Sequence, residues 1–280
     1  MRAGVVERAR ELGIEVVVLS AGDRLQPRVE EAVARGADAL GAAGGDGSQS
    51  VVAAAARAHG LPFVCVPAGT RDHFALDLGL DRRDPAGALD AFTDGMEGRI
   101  DVAEVNGRTF LNNVSLGIYG DAVQEAAYRD AKGRTLLAAV RARLGPAAAA
   151  PGLRVVDDLG REHARPAVVL VSNNPYTLKR QQAPGTRAAL DGGRLGIIVL
   201  DAPGGGPHPP GREWTATTLE VAAPGPVAAG IDGEAAELAP PLGFVTRPGA
   251  LRVRIAARDA VVGGRAGGRA ASPPPRSRAG

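Results

Sequence analysis

At 280 residues, 45% of them hydrophobic and 23% charged, the chain can build one large core or two modest ones. Its formal charge of +2 belongs to the C-terminus. Arg265, Arg269, Arg276 and Arg278 lie among residues 263–280 without a single acid, and residues 1–262 are net negative, so the charge does not describe a nucleic-acid groove. The lone Cys65 excludes an intramolecular disulfide. No run reaches the roughly 18 apolar residues of a membrane-crossing helix. The first ten residues, MRAGVVERAR, lack the apolar stretch of a signal peptide, and the expected location is cytoplasmic.

Residues 2–12 predict a helix closed by Gly13, and 14–19 a strand, IEVVVL. Residues 27–35 predict a second helix ended by Gly36, followed by an apolar strand that runs into Ala43-Gly44-Gly45-Asp46-Gly47-Ser48-Gln49-Ser50. The helix after this loop ends at Gly60, and residues 62–66 form a further strand that holds Cys65 as a core residue. Strands alternating with helices of about ten residues indicate a parallel sheet covered on both faces. Ligands bind such sheets beyond the strands' carboxyl ends. Gly45-Asp46-Gly47 and the exit of the next strand, Pro67-Ala68-Gly69-Thr70, both belong there. Glycines at a strand-to-helix junction let backbone N–H groups approach a phosphate, and the helix N-terminus adds partial positive charge. A carboxylate among those glycines repels phosphate, so Asp46 points to a metal ion or to proton transfer. A plain Gly-Asp-Gly turn is the competing reading.

The pattern changes near Arg99. Residues 99–105 and 109–115 flank Asn106-Gly107, a strong hairpin signal. A helical interlude is predicted over 122–144. Short strands are predicted at 153–156, 167–172, 194–200, 214–221, 226–231 and 251–255, separated by Gly, Pro and Asp as in an all-β sandwich. The expected architecture is an N-terminal three-layer α/β domain over 1–99, an antiparallel β-sandwich over 100–262, and a disordered tail over 263–280. There is no G-x-x-x-x-G-K-[ST] motif, no complete dinucleotide fingerprint, no metal-ligand spacing of His and Cys, and no G-x-S-x-G.

The ordered set of motifs resembles the diacylglycerol kinase catalytic domain family. Gly44-Gly45-Asp46-Gly47-Ser48 is similar to its GGDGT. Pro67-Ala68-Gly69-Thr70-Arg71-Asp72-His73-Phe74-Ala75 is similar to its P-x-GT-x-N-x-FA, and residues 110–117 to its F-x-N-x-x-x-x-G element. Residues 171–174, Leu190-Asp191-Gly192-Gly193-Arg194-Leu195 and Asp232-Gly233-Glu234 follow in order. The resemblance covers about residues 14–256 and implies a nucleotide-binding α/β domain before a β-sandwich, with the active site between them.

It further implies an ATP- and Mg²⁺-dependent kinase acting on a lipid hydroxyl, peripheral at a membrane surface, with a diacylglycerol-like acceptor. Gly45, Gly47, Ser48, Gly69 and Thr70 would line the nucleotide phosphates. Asp46 would hold Mg²⁺ or orient the reacting groups, Glu234 would be the general base, and Asp191 would bind a structural Mg²⁺. Two other readings are a catalytically weak nucleotide- or lipid-binding relative and a kinase of another acceptor such as NAD. Three departures stand out. Ser48 replaces threonine, Asp72 replaces asparagine, and the strand with an Asn-Pro-x-x-Gly loop that the resemblance implies ahead of the first helix is not in this sequence.

Overall fold

The computed structural model describes residues 2–20, 22–117, 152–164, 166–176, 187–201 and 211–259. The predicted helix 122–144 and the tail 263–280 lie outside the described residues. The chain opens with helices α1 (Arg2–Glu11) and α2 (Leu25–Ala34). Strand β1 (Leu40–Gly44), helix α3 (Asp46–Ala58) and strand β2 (Phe63–Pro67) follow, with β1 and β2 parallel. Helix α4 (His73–Asp77) and a 3-10 turn (Gly87–Phe92) lead into strand β3 (Gly95–Val105).

Helix α3 shows why this region layers as it does. Gln49, Val52, Ala53 and Ala56 recur at helical spacing and are buried. Val52, Ala53 and Ala56 pack with Phe63, Cys65, Phe74, Val102 and Val253 on one face of the sheet. The opposite face is covered by Val5 and Ala9 of α1 and by Ala88 and Leu89 of the 3-10 turn, against Val64 and Val66 of β2. Three layers result: helix, sheet, helix.

Residues 14–19, expected as a strand, join no sheet among the described residues. Ile14 and Val16 pack beside the α1 core while Val17 and Val18 are 48% and 46% exposed. The alternating apolar pattern packs one side of the segment, but no described strand lies alongside it to take its backbone hydrogen bonds. Strand β1 likewise pairs with β2 and with no other described strand.

The hairpin at Asn106-Gly107 forms, with positive φ of 49° and 79° at its two central residues. Its second arm is shorter than the sequence suggests. Strand β4 (Arg108–Phe110) stays beside β3, whereas β5 (Asn113–Gly117) belongs to a second sheet. The later strands are β6 (Arg154–Asp157), β7 (Glu162–Ala164), β8 (Pro166–Asn173), β9 (Leu195–Asp201), β10 (Gly211–Ala216), β11 (Thr218–Ala222), β12 (Val227–Ile231), β13 (Glu234–Leu238) and β14 (Leu242–Ala256). The second sheet has the order β10-β9-β8-β5-β12-β13, antiparallel throughout. Its inner face meets β3, β4, β6, β11 and the start of β14 across a core of Val105, Phe110, Val171, Ile197, Leu219 and Phe244. The α/β class followed by an antiparallel sandwich is thus present as expected.

The last strand ties these parts together. Residues 242–245 of β14 pair antiparallel with β11, and Val253 and Arg254 pair parallel with β2. Strand β3 runs antiparallel along β14 on both sides of an irregularity between Arg247 and Leu251. One continuous sheet therefore carries strands of both regions, and residue 99 falls inside β3.

Candidate active site at the glycine loop

The loop sits where β1 gives way to α3. Gly45 is the extended residue before the helix, and the first helical hydrogen bond runs from the Gln49 N–H to the Gly45 carbonyl. The N–H groups of Asp46, Gly47 and Ser48 therefore have no partner within the helix, and they open on an exposed edge at Ser48. Gln49, buried beneath them, donates to the carbonyls of Ala42, Gly44 and Val66 at 2.9–3.0 Å. That amide pins the ends of β1 and β2 under the loop.

The neighbouring loop, Gly69-Thr70-Arg71-Asp72, lies directly against it. A β-carbon on Gly69 would fall 2.4 Å from Gly45 Cα, so the two backbones touch where only glycine fits. Asp72 takes the left-handed conformation, φ 47°, and accepts from the Gly69 N–H with both oxygens, at 3.0 and 3.2 Å. Burial, followed by the nearby Asp46 charge, raises its pKa despite the Gly69 hydrogen bond. Asp46 accepts from the N–H groups of His73 and Phe74 at 3.3 and 3.1 Å, and His73 Nδ1 stands 3.7 Å from it. Asp46 thus holds the start of α4. His73, the first residue of α4, is exposed.

Glu234 arrives from the second sheet. It opens β13 after a turn in which Asp232 and Gly233 have φ of 50° and 85°. A β-carbon on Gly47 would lie 2.7 Å from Glu234 Cγ and 2.9 Å from its Oε1. The exposed Glu234 carboxylate therefore stands over the first turn of α3. Gly45, Asp46, Gly47, Ser48, Gly69, Thr70 and Glu234 form one constellation, although Glu234 is almost two hundred residues from the loop. A cleft of about 590 Å³ starts here. Gly47, Ser50, Val51, Ala54, Ile231 and Glu234 line it, and Arg57 and Arg108 stand at its other end. Glu104 accepts from Arg57 and from Arg247; burial opposes its ionisation, and these two arginines more than compensate, holding its pKa low.

Asp191 stands apart. It is exposed in a turn held by buried groups: Gly193 N–H donates to Asp101 at 2.6 Å and Gly192 N–H to Asn174 at 2.9 Å. No group of three or more His, Cys, Asp or Glu that would hold a metal ion occurs among the described residues. A Mg²⁺ at Asp191 would take its other ligands from backbone carbonyls and water.

Three features were not legible in the sequence. Asp232, quoted there only as part of Asp232-Gly233-Glu234, is a buried carboxylate that gathers the N–H groups of Leu111, Asn112 and Asn113 and the hydroxyl of Ser50. Asp101 joins the 190–193 turn to Gly249. Arg187 is buried against Asp77 and the carbonyls of Leu111 and Asn173. Asp101 and Arg187 lie outside any quoted motif, and the motif that contains Asp232 gave no signal for its long-range partners.

A glycine loop at the end of β1 is thus faced by a carboxylate from the antiparallel sandwich. Residues 3–105 match the diacylglycerol kinase catalytic domain. Over 278 residues the chain is 32% identical to a Pseudomonas aeruginosa protein named probable lipid kinase YegS-like, covering 92% of this chain and 90% of that protein. It is 33% identical over 104 residues to a diacylglycerol kinase of Mycobacterium tuberculosis, a match spanning 34% of that relative's length. Two solved Bacillus anthracis structures, one described as a putative diacylglycerol kinase and the other as a diacylglycerol kinase, superpose with TM-scores of 0.68 and 0.63 at 17% and 15% identity, each covering 92% of both chains. The chain belongs to the diacylglycerol kinase catalytic domain family.

Proposed function

We propose that this protein transfers the γ-phosphoryl group of ATP to the hydroxyl of a lipid, diacylglycerol-like in kind, working as a peripheral enzyme at a membrane surface. The observation that carries the reading is the meeting of Glu234 with Gly47: a carboxylate with no protein hydrogen-bond partner among the described residues stands over a helix N-terminus with unpaired N–H groups. In this reading residues 1–99 hold the nucleotide and 100–262 present the acceptor. The N–H groups of Gly47 and Ser48, with Thr70 across the loop, bind phosphate oxygens. Glu234 takes the proton as the acceptor O–H bond breaks; the oxygen bonds to the γ-phosphorus and the bond to the β–γ bridging oxygen breaks, releasing ADP. The apolar cleft wall of Val51, Ala54 and Ile231 suits the hydrocarbon of a ligand.

The donor set fits Mg²⁺. Asp46 is a carboxylate at the start of α3, and Mg²⁺ is commonly held by one or two carboxylates plus substrate phosphates and water. Bound there, the ion neutralises phosphate charge. Asp191 would hold the structural ion.

The test is incubation with labelled ATP, Mg²⁺ and vesicles containing diacylglycerol. A labelled lipid product is expected, lost in Glu234→Ala while ATP binding persists. No labelled lipid overturns the acceptor assignment, and full turnover in Glu234→Ala overturns the proton-transfer role.

A further inference from the structure

Asp232 makes an unusual set of contacts for a turn residue. It is only 6% exposed, and no Arg, Lys or His among the described residues pairs with it. Its carboxylate instead accepts from Ser50 Oγ at 2.6 Å, Leu111 N at 2.9 Å, Asn112 N at 2.8 Å and Asn113 N at 3.1 Å. Four donors match the roughly four lone-pair positions of an ionised carboxylate; they offset part of the burial that pushes its pKa up. The Asp232 N–H returns a bond to the Asn113 carbonyl at 2.9 Å.

These contacts join three pieces of chain. Ser50 lies on α3, residues 111–113 are where the chain crosses from β4 to β5, and Asp232 begins the turn that carries Glu234. Gly47 and Ser50 are three apart on one face of α3. Asp232 and Glu234 are two apart around Gly233. The result is a two-rung clasp, Ser50 to Asp232 and Gly47 to Glu234. The first rung is a directional hydrogen bond in a buried site. The second is a close approach of a flexible side chain to bare backbone, and it has no bond of its own to hold it.

We infer that Asp232, through Ser50, is the positioning residue that holds Glu234 over the first turn of α3. This rests on the kinase reading above, because it assigns the clasp a purpose in placing the proton acceptor. Without the Ser50 bond, Asp232 keeps its three N–H donors and the turn stays folded on the 111–113 segment, but its tie to the helix is gone. Glu234 then samples positions away from the phosphates. An ionised Asp232 is needed, since an amide would turn an NH₂ group toward one or more N–H donors.

The experiment compares wild type, Ser50→Ala, Ser50→Thr and Asp232→Asn. Ser50→Ala is expected to lower kcat for vesicle phosphorylation at least 10-fold with KM for ATP changed less than 2-fold. Ser50→Thr, which keeps the hydroxyl, restores kcat to within about 3-fold. Hydrogen exchange at the Gly233 and Glu234 amides is expected to rise at least 10-fold in Ser50→Ala, independent of any activity. Asp232→Asn is expected to show both effects more strongly; if it does not fold, the Ser50 pair decides. A Ser50→Ala enzyme with wild-type kcat, or with unchanged exchange at 233–234, overturns the inference. A wild type that phosphorylates no vesicle lipid overturns the kinase reading, and the exchange measurement then judges the clasp by itself.

Discussion

Gly47 and Glu234 occupy the same small space: the glycine leaves room that a β-carbon would fill at 2.7 Å from the glutamate Cγ. In Gly47→Ala the glutamate is the part that gives way, because it is an exposed side chain and the helix backbone is not free to move. Alanine inside a helix adds up to about 1 kcal/mol relative to glycine. Thermal unfolding is therefore expected at or slightly above the wild-type Tm, while kcat for lipid phosphorylation falls at least tenfold. A Gly47→Ala enzyme of full activity would show that Glu234 need not sit there.

Gly69→Ala has the opposite character. Its β-carbon would meet Gly45 Cα at 2.4 Å and Gly45 N at 2.9 Å, backbone atoms of the facing loop. Neither loop can yield by a rotamer change, so the pair must separate, at about 1–3 kcal/mol. The expected outcome is a lower Tm together with weaker ATP binding by calorimetry. Unchanged ATP affinity would separate this contact from nucleotide binding.

The contrast between these glycines and the polar clamps explains how much of the molecule could be read from its sequence. Glycines before α3, the apolar spacing along it, and the Asn106-Gly107 turn are local signals, and each appears where expected. The Glu234 constellation became legible only because ordered motifs linked distant segments. The failures are non-local. Residues 14–19 carry a strand pattern, yet strand state depends on a neighbour, which no local pattern supplies. The arm predicted over 109–115 divides between two sheets because the Asp232 carboxylate captures the amides of residues 111–113. Nothing in Leu111-Asn112-Asn113 announces an acceptor more than a hundred residues away.

The buried Arg187–Asp77 pair gives a stability prediction at the end of α4. Their side chains are 0% and 1% exposed at 2.7 Å, and Arg187 also donates to the Leu111 and Asn173 carbonyls and to Asn112 Oδ1. Asp77→Ala leaves a guanidinium buried without its counter-charge, at about 3–5 kcal/mol. A fall in Tm on the order of 10 °C follows for a chain of this size. A loss under about 1 kcal/mol in denaturant titration would mean that the carbonyl oxygens alone suffice for Arg187.

Strong acid should weaken the β6–β7 turn. Burial would raise the Asp157 pKa, but hydrogen bonds from the N–H and guanidinium of Arg161, from the Leu159 N–H and from His163 bring it down to about 2. A depressed carboxylate pKa stabilises the fold above its ordinary value near 3.8, and that stabilisation is lost as pH falls through about 2. Asp157→Asn is therefore expected to unfold at a lower Tm than wild type at pH 7, with the two curves converging between pH 4 and 2. A Tm difference that stays constant over that window would assign the effect to packing and not to ionisation.

Asp72→Asn tests the departure from the family pattern. Asparagine accepts the left-handed conformation of residue 72 readily, and its carbonyl oxygen can keep one of the two bonds from the Gly69 N–H. What it removes is a negative charge beside Asp46 and beside the loop proposed to hold phosphates. The raised Asp72 pKa fixes the sign for stability. Stabilisation from the protonated form is complete below the ordinary value of 3.8 and is lost as pH rises through the folded-state value, so at pH 7 the ionised side chain is a burden. The substitution should leave Tm at pH 7 equal or higher, with the gain vanishing below pH 3.8. It should also tighten ATP binding by about fivefold, corresponding to roughly 1 kcal/mol of relieved repulsion, and the gain should shrink as salt is added. Calorimetric titration at two ionic strengths decides it. An affinity that weakens in Asp72→Asn would mean that the carboxylate works with a cation at this loop, and the repulsion argument would fail.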